Sequence, residues 1–348
     1  MKLQKDYNLS KLNTFSISAR AKFFAEITKE ADLKELFNIP EFKNNKKLFL
    51  GGGSNILFTK DFDGLVVLSK LKGIKILKED SKNVKIQAGS GEIWHDLVVF
   101  SVGHGYWGLE NLALIPGTVG AAPMQNIGAY GAELKDVLEK VNVFDINTGE
   151  KKIFNKKECK LGYRDSIFKN ELKDKYFISS ITLKLSKTEK KNIAYQILQE
   201  YLKNNKIEVK NPKDISDAIC KIRESKLPNP AIIPNAGSFF KNVFLPKEKL
   251  EELLKKYPDM PYFHENGSLA SVFVKIPAGW LIEQCGPASG TSWKGYRMKN
   301  VGVHEKQALV LVNYGGATGE EILNLANKIM ADVKEKFDLK LVPEVNIV

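Results

Sequence analysis

Over its first 70 residues the chain alternates strand-like and helix-like hydrophobic patterns. The apolar run Ala19 to Ile27 predicts a strand, Asp32-Leu33-Lys34-Glu35-Leu36-Phe37 a helix, and Leu48-Phe49-Leu50 and Leu65-Val66-Val67-Leu68 further strands. This is the pattern of a small α/β unit. Between Ile74 and Leu185 strands recur at Val84 to Ala88, Val141 to Ile146 and Phe177 to Leu185, with Asn147-Thr148-Gly149-Glu150 as a hairpin turn. A helix over Glu92 to Val102 interrupts them, and its Ile93, Leu97 and Phe100 are spaced to share one face.

The stretch Lys203 to Lys213 breaks the periodicity and ends in Asn211-Pro212, which predicts a domain boundary near residue 210. Beyond it the pattern predicts a helix at Asp214 to Arg223, a proline-punctuated loop at Leu227 to Pro234, a helix starting at Pro246 and a helical Ala278 to Gln284. A strand at Ala308 to Val312 leads to Thr318-Gly319-Glu320-Glu321, the signature of a capping box, and a long helix carrying Ile322, Leu325, Ala326, Ile329, Val333 and Phe337. Leu341 to Val345 reads as a terminal apolar strand that contains one acid, Glu344.

Length and composition narrow the class. A chain of 348 residues exceeds one ordinary core and implies two or three domains. With 43% hydrophobic and 27% charged residues it is globular rather than disordered. No run of roughly 18 apolar residues occurs, and Met1 to Asp6 lacks the apolar stretch of a secretory signal, so a cytoplasmic protein without a membrane partner is expected. Cys159, Cys220 and Cys285 lie far apart, without metal-ligand spacing; they suggest free buried thiols, no disulfide framework and no metal site. The net charge of +12 is spread over lysines scattered among acids, a poor match for a nucleic-acid surface but suited to drawing in an anionic substrate. Only four of the 53 basic residues are arginine: Arg20, Arg164, Arg223 and Arg297. In so lysine-rich a chain, an arginine marks places where a planar bidentate donor is useful.

Two glycine-rich loops carry the first candidate chemistry. Gly51-Gly52-Gly53-Ser54-Asn55 follows a strand, where glycine permits positive φ and keeps side chains away from an approaching phosphate. Neither a Gly-x-Gly-x-x-Gly fingerprint nor a P-loop ending is present, and on the triplet alone a plain tight turn is the better reading. The second loop runs from Gly108 through Ile115-Pro116-Gly117-Thr118-Val119-Gly120-Ala121-Ala122-Pro123 and Gln125-Asn126-Ile127-Gly128-Ala129-Tyr130-Gly131 to Leu134. Small residues with few charges make a poor surface loop and a good wall against a large flat ligand.

Three further segments offer reactive groups. In Tyr163-Arg164-Asp165-Ser166 the arginine suits equally a grip on a substrate carboxylate and an ion pair with Asp165. Ser238, in Asn235-Ala236-Gly237-Ser238-Phe239-Phe240-Lys241-Asn242, lacks the setting of a hydrolase nucleophile and by default is a loop hydroxyl. Glu344, flanked by apolar residues, needs a partner unless it is exposed.

Together these segments, with Asn13-Thr14-Phe15 ahead of them, resemble the UDP-N-acetylenolpyruvoylglucosamine reductases, flavoproteins of the vanillyl-alcohol-oxidase type, over about Asn13 to Glu344. The resemblance implies an α+β protein: a PCMH-type FAD-binding fold of two α+β subdomains (1–73 with 338–348, and 74–210) plus a C-terminal α+β substrate-binding domain (211–337). It implies FAD as cofactor, held by Gly51, Gly52, Gly53, Ser54, Asn55, Ile115, Pro116, Gly117, Thr118, Gly120, Ala121, Asn126, Gly128 and Gly131. It implies NADPH as hydride donor and a UDP-sugar enolpyruvate as the substrate to be reduced for peptidoglycan synthesis. Arg164 then grips the substrate carboxylate, Ser238 donates the proton and Glu344 assists Arg164. Tyr163, Tyr195, Arg223, Lys226 and Asn242 match substrate-binding positions, Arg223 and Lys226 on the diphosphate side. Two departures stand out: Val243 follows Asn242 where the family has proline, and Gly286 to Val303, with Trp293 and Arg297, is longer than usual.

Overall fold

The computed structural model describes residues 1–264 and 272–348. The chain divides into two compact units: one of residues 1–8, 20–53 and 61–225, the other of 9–19, 54–60 and 226–348. Both mix helix and strand, as the α+β expectation requires.

The first unit holds two sheets. In one, Arg20–Ile27, Phe62–Ser69 and Lys46–Leu50 run parallel, and Leu3–Asn8 is added antiparallel beside Arg20–Ile27. Parallel neighbours need a crossover, which the helix Glu30–Asn38 supplies; its Leu33, Leu36 and Phe37 are buried with Ala25, Ile27, Leu65 and Val67. The other sheet is antiparallel throughout, in the order Lys151–Asn155, Leu138–Asp145, Tyr176–Ser186, Asn83–Gly89, Ile74–Glu79. Its hairpin turns at the expected Asn147-Thr148-Gly149-Glu150, where Gly149 takes φ +73°. The helix Trp94–Gly103 forms one residue or two away from its predicted ends, but its buried face differs from the one the spacing suggested. Trp94, Leu97, Val98 and Val102 are buried, whereas Ile93 is 48% exposed. Ile93 lies before the first helical turn and bridges to Thr118 as extended chain, so helical periodicity does not govern it.

In the second unit an antiparallel sheet runs Asn235–Ser238, Val310–Asn313, Val301–Val303, Arg297–Met298. The helix Gly319–Phe337 buries all six of its predicted apolar positions. Its capping box forms in full: Thr318 N–H donates to Glu321 Oε2 at 2.8 Å, and Glu321 N–H donates to Thr318 Oγ1 at 3.2 Å. Leu341 to Val345 is not the strand its composition predicts. It runs irregularly, with a single bridge at Pro343, and pairing as a strand begins only at Asn346–Ile347, parallel to Ile56–Leu57. Pro343 has no N–H to give a ladder.

The long segment Gly286 to Val303 is mostly exposed and is anchored to this unit at Trp293 and Val301–Val303. Trp293 is buried and donates from Nε1 to Asp332 Oδ2 at 2.7 Å, on the long helix. Its backbone N–H reaches Cys285 O at 2.6 Å, and Arg297 stacks over the Tyr314 ring at 4.1 Å. Cys159 and Cys285 are buried thiols, and Cys220 is half-buried. Burial pushes the Cys159 thiol up to about 12, so it stays protonated.

Candidate active site

In the first unit the two glycine loops meet. A Cβ on Gly51 would lie 2.5 Å from Thr118 Oγ1, and one on Gly52 would lie 2.8 Å from Gly117 Cα. A Cβ on Gly120 would fall 2.5 Å from that of Ser90. Such approaches exclude any larger residue, so these glycines serve close backbone contact as well as turning. Thr118 Oγ1 is buried there without a hydrogen-bond partner among the described residues. A buried hydroxyl left unpaired costs about 1–3 kcal/mol, and a phosphate oxygen of a dinucleotide is a fitting acceptor for it. The residues present therefore fit FAD. Gly51, Gly52 and Gly53 belong to this unit, while Ser54 and Asn55 belong to the second.

Asn126 is fully buried at φ +46° and is used structurally. Its Nδ2 donates to Glu133 Oε2 and Gly162 O at 3.0 and 2.9 Å, and its Oδ1 accepts from Lys135 N at 2.9 Å. Asn126 thus ties the loop to the turn that carries Arg164. Arg164 takes φ +50°, unusual for a long side chain, and donates from a terminal guanidinium nitrogen to Gly128 O at 2.8 Å. Its guanidinium also lies 5.4 Å from the centre of the Tyr163 ring. Asp165 accepts from Asn170 Nδ2 at 2.8 Å.

Around Tyr130 the structure assembles a cluster that the sequence pattern does not single out. Tyr195, 43% exposed at the start of the helix Gln196–Asn204, sets its ring edge-on to that of Tyr130 at 5.4 Å. Arg223, in the last turn of the helix Pro212–Lys226, hydrogen-bonds Tyr130, and its buried Nε meets no partner among the described residues. Burial pulls the Arg223 guanidinium below its ordinary value, opposed by Tyr130 and helped by Arg164. Two cationic side chains that feel each other, one with a donor unpaired among the described residues, suit an anionic ligand. Arg223 is thus more than a cation complementing a helix terminus. An aromatic between glycines, Gly128-Ala129-Tyr130-Gly131, was the available signal for Tyr130.

In the second unit Ser238 and Glu344 are linked through the backbone of Phe239. Ser238 ends a strand whose register slips across Gly237, at φ +67°, with Gly237 N–H donating to Asn235 Oδ1 at 2.9 Å. On one side Phe239 N–H donates to Leu309 O at 2.7 Å; on the other Glu344 N–H donates to Phe239 O at 2.7 Å. Lys241 N–H donates to Val342 O at 2.9 Å, and Asn346 N–H to Asn55 O at 3.1 Å. The backbone at Ser238, Glu344 and Asn55 is therefore tied together from three distant stretches of chain. The Asn13-Thr14-Phe15 motif supports the same strand: Asn235 N–H donates to Thr14 O at 2.9 Å, and Asn313 Nδ2 to Phe15 O at 2.8 Å. Asn242 Oδ1 accepts from Ala278 N at 3.0 Å, the first residue of the helix Ala278–Glu283, and Lys226 is exposed.

Comparison with known proteins completes the assignment. Residues 21–153 match the family described as FAD binding domain, and residues 228–348 match UDP-N-acetylenolpyruvoylglucosamine reductase, C-terminal domain. The UDP-N-acetylenolpyruvoylglucosamine reductase of Amoebophilus asiaticus is 49% identical over 348 residues, and that of Flavobacterium johnsoniae 47% over 350, each alignment covering both chains fully. The crystal structure of UDP-N-acetylenolpyruvylglucosamine reductase (MurB) from Thermus caldophilus has the same fold, with a TM-score of 0.65 and 22% identity over 100% of this chain and 99% of that one. With whole-length relatives at that identity and both halves matched, the chain belongs to the UDP-N-acetylenolpyruvoylglucosamine reductase family.

Proposed function

We propose that the protein reduces UDP-N-acetylglucosamine enolpyruvate to UDP-N-acetylmuramate in peptidoglycan synthesis, with NADPH as hydride donor and FAD as resident cofactor. FAD bound there would supply the hydride chemistry between NADPH and the methylene carbon of the alkene. The chain's own groups do the rest. Arg164 holds the substrate carboxylate, where charge grows as the alkene is reduced, and Glu344 assists it through the charged intermediate. Ser238 Oγ–H donates a proton to the carbon next to the methylene. Gly51 to Asn55, Ile115 to Gly120 and Ala121 hold the cofactor, Thr118 offering its hydroxyl; Asn126, Gly128 and Gly131 set the loop around it.

The observation that carries this reading is the Glu344 N–H to Phe239 O bond, 2.7 Å, which sets Glu344 on backbone adjoining Ser238. A hydroxyl and a carboxylate carried on adjoining backbone suit protonation of a carboxylate-bearing alkene better than hydrolysis. For the UDP-sugar, Arg223 with Tyr130 and Lys226 serve the diphosphate, Tyr163 and Tyr195 line and cover the substrate, and Asn242 serves the uridine side with the amide nitrogen that its helix cap leaves over. The domain division 1–73 with 338–348, 74–210 and 211–337 is part of this proposal, as are a cytoplasmic location and a role in cell shape and division. No helix among the described residues is long and apolar enough to cross a membrane. Purified protein is expected to show flavin absorbance and to oxidise NADPH when the enolpyruvyl substrate is supplied. A colourless protein without that activity sinks the proposal.

A further inference from the structure

The loop 112–120 is zipped onto residues 90–95 by backbone. Gly120 N–H donates to Ser90 O at 2.9 Å, Val119 N–H to Glu92 O at 2.9 Å, and Trp94 N–H to Gly117 O at 3.0 Å. Ile93 bridges Thr118, and Trp94 Nε1 closes the far end on Leu112 O at 2.9 Å. Leu114 departs from this ladder. It sits at φ +56°, a left-handed conformation that a leucine adopts only when its surroundings impose it. The N–H of Leu114 is taken by a side chain, His95 Nδ1, at 3.0 Å.

An imidazole accepts through Nδ1 only while that nitrogen carries no proton, so the proton of His95 resides on Nε2. The charged groups facing the ring are Asp96 on its own helix and Arg223 from the helix Pro212–Lys226. Burial pushes the imidazole below its ordinary 6.5; Asp96 opposes this and Arg223 adds to it. The environment therefore keeps His95 in the form that accepts.

We propose that neutral His95 is a positioning residue for the cofactor loop: through Nδ1 it holds Leu114 left-handed and so sets Ile115 to Gly120 in the conformation that binds FAD. This rests on the reading of Ile115 to Gly120 as a flavin loop. Protonation turns the acceptor into a donor facing the Leu114 N–H, and the anchor is lost. Because the folded-state value is depressed, the anchor is complete above 6.5 and fails as pH falls through the lower folded value.

The test uses the FAD-loaded protein. FAD retention and amide exchange of the 112–117 segment, corrected for intrinsic rates, are followed from about pH 8 to about pH 5. Wild-type protein should lose FAD affinity by about tenfold over that range, with exchange rising in step. His95→Asn places an amide oxygen near the Nδ1 position and should hold FAD with little pH dependence. His95→Ala should bind weakly at every pH. In 15N-labelled wild-type protein near neutral pH, His95 Nδ1 should resonate as an unprotonated acceptor; this signature stands even should the alanine variant fail to fold. A protonated Nδ1, or a pH slope in His95→Asn equal to wild type, overturns the proposal. Loop exchange that follows His95 while FAD retention does not overturns the flavin-loop reading and leaves the anchor standing.

Discussion

The two units build their halves of the chemistry in opposite ways. In the first, the work is done by what is missing: Gly51, Gly52 and Gly120 bring backbone to backbone, and a Cβ at Gly52 would fall within 2.8 Å of Gly117 Cα. In the second, the work is done by register: Ser238 is aimed by the slip at Gly237 and tied to Glu344 through the backbone of Phe239. A cradle of backbone tolerates almost no added volume, because a close-packed wall cannot retreat. A register-positioned side chain is sensitive instead to its own functional group, since its scaffold is a set of backbone bonds that a small substitution leaves in place. The glycine cradle of the first unit should thus fail by losing cofactor, and the Ser238 strand of the second by losing turnover with its cofactor retained.

The largest expected effect breaks this comparison most directly. Ser238→Ala should lower kcat by roughly 10²–10⁴-fold, the usual range for a positioned proton donor, while reduction of the bound flavin by NADPH keeps its rate. Stopped-flow absorbance separates the two halves, and equal losses in both would show that Ser238 is not the proton donor. Next, Gly52→Ala should weaken FAD binding by about 10–100-fold, from the roughly 1–3 kcal/mol cost of overpacking, with near-normal turnover in molecules that still hold FAD. Flavin content after gel filtration reads this directly, and full occupancy would count against the cradle. Smallest is Thr318→Ala, at the start of the helix Gly319–Phe337. Loss of the capping hydroxyl, 3.2 Å from Glu321 N, should cost about 1 kcal/mol of stability, seen as a lower Tm with kcat unchanged.

The chain's own pattern made much of this legible. Apolar runs and strand-like patterns located the strands Arg20–Ile27, Phe62–Ser69, Asn83–Gly89 and Tyr176–Ser186, and the six apolar positions of Gly319–Phe337 are all buried. Local rules worked where local forces dominate: hydrogen bonds within a helical turn, a hairpin between adjacent strands, a box between Thr318 and Glu321. The glycine clusters announced that backbone would come close to something. The helix Trp94–Gly103 shows the limit, since Ile93 fitted the helical spacing but was drawn out of the helix by its bridge to Thr118.

What tertiary structure alone decided was which distant groups meet. Nothing in the spacing ties Arg223 to Tyr130, His95 to Leu114, or Glu344 to Phe239, because each pair is joined by folding over many residues and no local rule links its members. Leu341 to Val345 makes the same point in reverse. Its composition suits a strand, yet it makes a single bridge, Phe240 to Pro343, and serves as an irregular bracket for Phe239 and Lys241. Sequence determined the elements and the residue types from which a reductase site is made. The fold decided their aim, because aim comes from non-local backbone pairing and packing, to which composition and periodicity are blind.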